Sequence, residues 1–278
     1  MSTIGGEREA VDGLELRLLG AFEVVAGGRS LPLGGARQRA VLARLALSAN
    51  ELVPTDQLID QVWGGSPPGG AVTTLQVYVS HLRKALATTT ATIETRRPGY
   101  VLVVDPAAID ARRFEDLVAR ADLRRAVDPA EAVELLREAL ALWRGPALAD
   151  FAYESFASVE ASRLEELRLR AIELRLDADL ALGRAADVVA ELESLVAEHP
   201  LREGFWGQLM LALYRSGRQG EALRTYRRAA DHLGEELGLE PSAASSEVSW
   251  TRIACSSRCS AALGSRPSSS PRWSAARR

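Results

Sequence analysis

Leu14-Glu15-Leu16-Arg17-Leu18 alternates apolar and polar positions with period two, the pattern of a strand with one wet face. Phe22 to Ala26 repeats it, and Gly27-Gly28 supplies a tight turn into Arg29-Ser30-Leu31, so a hairpin is expected. From Arg37 the period lengthens, and Ala40, Val41, Leu42 and Leu45 share one broad helical face that runs to Ala49. Thr55 is placed to cap a second helix, Asp56 to Trp63, with Leu58, Ile59 and Val62 inward. After the loop Gly64 to Gly70, Leu75, Val79, Leu82 and Leu86 fall at i, i+4, i+7 and i+11, the stripe of a third helix. Thr73 and Gln76 have capping-box spacing, and a start one turn earlier near Ala71 is open as well. Ala91 to Thr95 and Tyr100 to Val104 return to strands. Arg96-Arg97-Pro98-Gly99 between them reads as a turn with Pro second and Gly third.

From Asp110 onward the strand signal is gone. Helices are expected over Asp110 to Ala126, then from Pro129 to Trp143 with Asp128 as N-cap and Arg144-Gly145-Pro146 as the stop. Further helices are expected over Phe156 to Leu182, Ala185 to Glu198, Arg202 to Arg215 and Gln219 to Leu237. The helices recur in pairs, each pair closing near a Gly or Pro. Leu211 to Tyr226, with Gly217 at a turn and Ala222 where helices approach closely, resembles a tetratricopeptide repeat. Such stacks present a concave surface suited to proteins or peptides. Trp143, Phe205, Trp206, Tyr214 and Tyr226 are assigned to packing.

Composition removes several classes of function. With 47% hydrophobic and 26% charged residues the chain has a globular profile. No apolar run is long enough to span a bilayer and the N-terminus lacks a secretory signal, so a cytoplasmic protein is expected. Cys255 and Cys259 without further Cys or nearby His do not make a zinc site, and His81, His199 and His232 are scattered. No P-loop or nucleophile–base cluster is present, and neither an enzyme nor a cofactor is expected. The net charge of −3 argues against nucleic acid only as an average. A basic surface needs to be local. The third helix supplies one: Gln76, Val77, Ser80, His81, Arg83 and Lys84, the chain's only Lys, oppose its apolar stripe. These groups can donate to base edges and phosphates, and Val77 can meet a thymine methyl. Arg96 and Arg97 at a hairpin tip suit a phosphate or a narrow minor groove.

Val77-Tyr78-Val79-Ser80-His81-Leu82-Arg83-Lys84-Ala85-Leu86, followed by Ile93 to Tyr100, resembles the recognition helix and wing of the OmpR-type winged helix. That resemblance implies base contacts from Val77, Ser80 and His81, with Thr74 and Gln76 on the same surface. It implies a phosphate contact from Lys84, and for Arg83 either a phosphate or an internal partner. It implies a minor-groove contact from Arg96 and a phosphate contact from Tyr100, and Arg97 at the same tip is counted with them as DNA-binding. His81 stands where Arg is common, which departs from the bidentate reading of guanine. Leu140 to Asp150, LALWRGPALAD, is similar to the signature of the bacterial transcriptional activation domain. His199 to Glu203, Ala212 to Gln219 and Glu236 to Ser242 fit the same domain. The combination resembles the SARP family, the Streptomyces antibiotic regulatory proteins.

The expected fold is therefore α+β, a winged helix-turn-helix domain at 12–105, followed by an all-α TPR-like helical repeat domain at 110–244. Residues 1–11 and the Ser-rich 245–278 are expected to be disordered, and truncation or a shifted reading frame would account for that tail. The resemblance implies an activator of a secondary-metabolite gene cluster. Its partners would be double-stranded promoter DNA with direct repeats, RNA polymerase holoenzyme and a second copy of the chain on DNA. A protein-interaction adaptor and a defective regulator are the alternatives.

Overall fold

A computed structural model of the chain describes residues 13–64 and 66–237. The N-terminal extension, the Ser-rich tail and Cys255 and Cys259 lie outside the described residues. Within them the compact units divide between Ala178 and Asp179.

The first unit begins with a three-stranded antiparallel sheet, β1 (Glu15–Arg17), β2 (Glu23–Ala26) and β3 (Arg29–Ser30), in register Leu16↔Val24 and Val25↔Ser30. Helix α1 (Ala36–Leu47) buries Ala40, Val41, Leu42 and Leu45, the face the sequence pattern marks. A short strand β4 (Val53–Pro54) leads directly into α2 (Thr55–Trp63). Helix α3 (Ala71–Ala85) precedes the hairpin β5 (Thr92–Arg96) and β6 (Gly99–Val103), and the second sheet runs β4-β6-β5.

Two local expectations are corrected, and the start of α3 is settled in favour of the earlier alternative. Thr55 is the first helical residue, with Pro54 at the N-cap position and no side-chain cap, and its N–H donates to Pro98 O at 3.1 Å, which ties α2 to the hairpin turn. Helix α3 starts at Ala71 after Gly70 in the left-handed region, so Thr73 lies inside the helix and caps nothing. The hairpin turn sits one residue earlier than read: Arg96 pairs with Gly99 in the ladder, and Arg97-Pro98, joined by a cis bond, form the two-residue turn.

Helices α4 (Asp110–Arg124), α5 (Pro129–Ala141) and most of α6 (Ser155–Ala181) complete this unit. Asp128 caps α5 by accepting Glu131 N–H at 3.0 Å, with Pro129 at the first helical position, as expected. The sequence places a boundary between 105 and 110, yet one hydrophobic cluster runs across it from Leu16, Leu18 and Phe22 to Phe114, Leu148 and Phe151. Trp143 packs edge-on against Phe114, with ring centroids 5.4 Å apart, beneath the Arg168 guanidinium.

Polar groups close the same seam. The Asp110 carboxylate accepts Leu18 N–H at 2.7 Å on Oδ1 and Leu19 N–H at 3.0 Å on Oδ2, and Arg144 Nη2 lies 3.5 Å from it. The LWRGPALAD segment returns the contact: Arg144 N–H donates to Leu19 O and Leu148 N–H to Leu18 O, both at 2.8 Å. Asp150 accepts Phe22 N–H at 3.1 Å and pairs with Arg39. Burial pushes the Asp110 carboxyl above its ordinary 3.8, while the Leu18 and Leu19 N–H groups pull it back. With its pKa raised, the folded state holds the proton more tightly than the unfolded one. This group's contribution to stability therefore falls as pH rises from 3.8 through the raised value.

Asp110→Asn retains the shape but turns one acceptor into a donor facing a backbone N–H. A loss of about 2 kcal/mol of unfolding free energy at neutral pH is expected from the orphaned donor. Urea denaturation measures it, and a variant as stable as the wild type would refute this account of the seam.

The second unit stacks α7 (Ala185–Glu198), α8 (Glu203–Arg215) and α9 (Gln219–Leu237) pairwise. Helices α6 and α8 end alike. Gly183 and Gly217, 34 residues apart, both take positive φ (80° and 77°). The following N–H then closes back to the helix, Arg184 to Asp179 O at 3.0 Å and Arg218 to Leu213 O at 2.9 Å. That spacing is the tetratricopeptide period. Phe205 and Trp206 are buried, and Trp206 Nε1 donates to Pro200 O at 2.8 Å, consistent with packing. No helix among the described residues is long and apolar enough to cross a membrane.

Candidate nucleic-acid interface

Helix α3 buries Ala71, Leu75, Val79 and Leu82, which turns the other residues of each turn outward. Gln76, Val77, Ser80, His81, Arg83 and Lys84 are all exposed, and Thr74 is half-buried with Oγ1 near Gly70 O. Ser80 and Lys84 follow Gln76 at i+4 and i+8, and His81 follows Val77 at i+4, so these side chains share one surface. Val77 is 46% exposed, an aliphatic group held in water amid polar neighbours. The helix contains no Asp or Glu, so its outer face is neutral or cationic throughout. Trp63 stacks on Tyr78 with centroids 5.9 Å apart and planes within 4°, which fixes α3 against the end of α2.

The β5–β6 hairpin stands beside this helix. Arg83 Nε donates to Ile93 O and its Nη2 to Thr95 Oγ1, each at 2.7 Å. Arg97 lies exposed at the turn, and neither it nor Lys84 has a hydrogen bond or ion pair among the described residues. Arg96 is exposed but paired, with its Nη2 2.7 Å from Glu94 Oε2. Tyr100 follows the turn, opposite Thr95 in the ladder. It is 7% exposed, and the alternation of β6 turns its ring into the core, so the ring anchors the hairpin.

Two pairings lie beyond the sequence expectations, Glu94 with Arg96 and the partners of Arg83 on β5. The first pair has strand spacing, two residues apart on β5, and becomes visible once the strand is taken to Arg96; the second depends on where β5 meets α3. The exposed positions of α3 follow directly from its period and were legible.

Two family models match the chain: "Transcriptional regulatory protein, C terminal" over residues 29–102 and "Bacterial transcriptional activator domain" over residues 109–249. The regulatory protein DnrI of Streptomyces peucetius is 38% identical over 242 residues, covering 83% of this chain and 88% of that protein. The regulatory protein AfsR of Streptomyces griseus is 41% identical over 231 residues, 83% of this chain but 23% of that much longer protein. Among solved structures, Mycobacterium tuberculosis EmbR in complex with a low-affinity phosphopeptide aligns with a TM-score of 0.83 at 34% identity, covering 90% of this chain and 69% of that one. The matched sequence modules meet between residues 102 and 109, whereas the compact units of the fold divide at Ala178. The chain belongs to the SARP family, the Streptomyces antibiotic regulatory proteins, and is a transcriptional regulator of that type, not an enzyme.

Proposed function

We propose that this chain is a cytoplasmic, sequence-specific DNA-binding activator of a secondary-metabolite gene cluster. It places α3 in the major groove of promoter direct repeats and contacts RNA polymerase through its helical domain. The observation that carries the reading is the carboxylate-free outer face of α3 beside a hairpin whose tip is Arg97. A B-DNA major groove is about 12 Å wide and accepts one helix. Gln76, Ser80 and His81 offer hydrogen bonds to base edges, and Val77 offers methyl contact to thymine. Lys84 and Arg97 meet phosphate or the minor groove, Arg96 joins them by exchanging Glu94 for phosphate, and Thr74 lies at the edge of the footprint. Two copies on adjacent repeats would bring two helical domains to the polymerase.

The test is a gel-shift salt series on promoter fragments adjoining the gene. Each phosphate neutralised contributes about 0.9 to the slope of log K against log salt. Lys84→Ala and Arg97→Ala are each expected to flatten the slope by roughly that amount and to weaken binding to all sequences alike. A protein-interaction adaptor would give no salt-sensitive shift with any fragment, and that result would remove the DNA reading.

A further inference from the structure

Arg83 is exposed and sits in a basic run, the setting of a phosphate contact. Its geometry assigns it another task. Nε and Nη2 are both engaged, at 2.7 Å, by two groups on β5, the Ile93 carbonyl and the Thr95 hydroxyl. Ile93 and Thr95 are two apart on β5, the edge strand of the β4-β6-β5 sheet, so the guanidinium bridges a backbone carbonyl and a side chain along that edge. Both partners are neutral, which means that shape and not charge pairing selects the guanidinium here. Thr95 lies opposite Tyr100 in the ladder, next to Arg96, so the tie is made at the base of the arginine-bearing tip. Among hydrogen bonds between described side chains and other groups, this pair spans from α3 to the hairpin.

We propose that Arg83 is a positioning residue for DNA recognition: its guanidinium locks the wing to the recognition helix at the separation at which one duplex is gripped in two neighbouring grooves. This inference rests on the DNA-binding reading above. Helix and wing read different features, base edges in the major groove and the width of the minor groove. They act on the same duplex only if their spacing is held. A hairpin with its tie cut keeps its strands but changes its angle to the helix, and the wing's share of the grip is then lost first.

Two substitutions separate this role from a phosphate contact. Arg83→Lys keeps the charge but puts a methylene where Nε donates. Arg83→Gln removes the charge but carries an amide nitrogen at the Nε position, able to donate to Ile93 O. The intact chain is footprinted with dimethyl sulfate on the promoter fragment that the wild type shifts. This reagent methylates guanine N7 in the major groove and adenine N3 in the minor groove, so one lane reports on helix and wing separately.

The expected result is that Arg83→Lys keeps guanine N7 protection, loses adenine N3 protection beside it, and binds roughly tenfold more weakly at fixed salt. Arg83→Gln is expected to restore the adenine N3 protection despite the lost charge. Lysine protecting both grooves while glutamine protects neither would show a charge contact with phosphate and overturn the proposal. A wild-type protein that protects nothing would instead strike down the DNA reading itself, and this inference with it.

Discussion

Gly99→Ala is expected to destabilise the first unit by roughly 2–4 kcal/mol, among the larger effects of any single methyl group in this chain. A Cβ built on Gly99 falls 1.9 Å from Val53 O and 2.7 Å from Pro54 Cα. Both are backbone atoms of β4, so no side-chain rotation relieves the overlap. Strand β4 must move off β6, which breaks the Val53↔Tyr100 and Pro54↔Gly99 pairing and strains the Thr55 N–H to Pro98 O bond that holds α2 to the hairpin. Gly69→Ala is the matched control, since nothing lies within 4 Å of its Cβ and its φ is not left-handed. Thermal and urea unfolding of the two variants measure the difference. Equal stability within 0.5 kcal/mol, well inside the spread of ordinary surface substitutions, would show that β4 and β6 are not as closely apposed as described. Because the hairpin is the proposed wing, weaker DNA binding should accompany the lost stability.

The contrast between Gly99 and its neighbours shows which parts of the fold are written locally. Read in sequence, Gly99 is the third residue of a turn. In the fold it is the first residue of β6, required to be Gly by a strand more than forty residues earlier. The same division runs through the interface. Gln76, Val77, Ser80, His81 and Lys84 were legible as an outer face because a helix imposes its period on consecutive residues. The burial of the Tyr100 ring was not legible, because strand alternation alone does not say which face is the core. Helices α7 to α9 were legible nearly to the residue, since their contacts are with sequence neighbours and Gly183 and Gly217 mark their turns. The seam was not legible: Asp110 and Leu18 are 92 residues apart, and nothing in either segment names the other. The LWRGPALAD segment shows the limit most clearly. Its resemblance to an activation-domain signature places it in that domain, whereas its Arg144, Leu148 and Asp150 face the N-terminal sheet.

A fragment of residues 13–105, the winged helix cut at its sequence boundary, is accordingly expected not to fold, while residues 13–178 should melt cooperatively. Leu16, Leu18, Leu19 and Phe22 are each 1% exposed or less, in one cluster with Phe114, Leu148 and Phe151, and Phe22 and Phe151 have ring centroids 5.8 Å apart. Exposing one such side chain costs about 1.5–3 kcal/mol. A domain's net stability is about 5–15 kcal/mol, so uncovering three or four of them removes most of it. The cut also takes away the acceptors of Leu18, Leu19 and Phe22 N–H and the donors to Leu18 and Leu19 O, leaving β1 and the turn into β2 without their polar partners. Circular dichroism melts and amide dispersion of the two fragments decide the matter. A sharp transition in 13–105, with promoter affinity equal to that of the intact chain, would show that the helices α4 to α6 merely lean on a self-sufficient domain. Failure of 13–105 beside cooperative melting of 13–178 would mean that the DNA-reading helix and the first half of the activation module are one folding unit. A promoter-bound α3 would then set the orientation of α4 and α5 without a hinge between them.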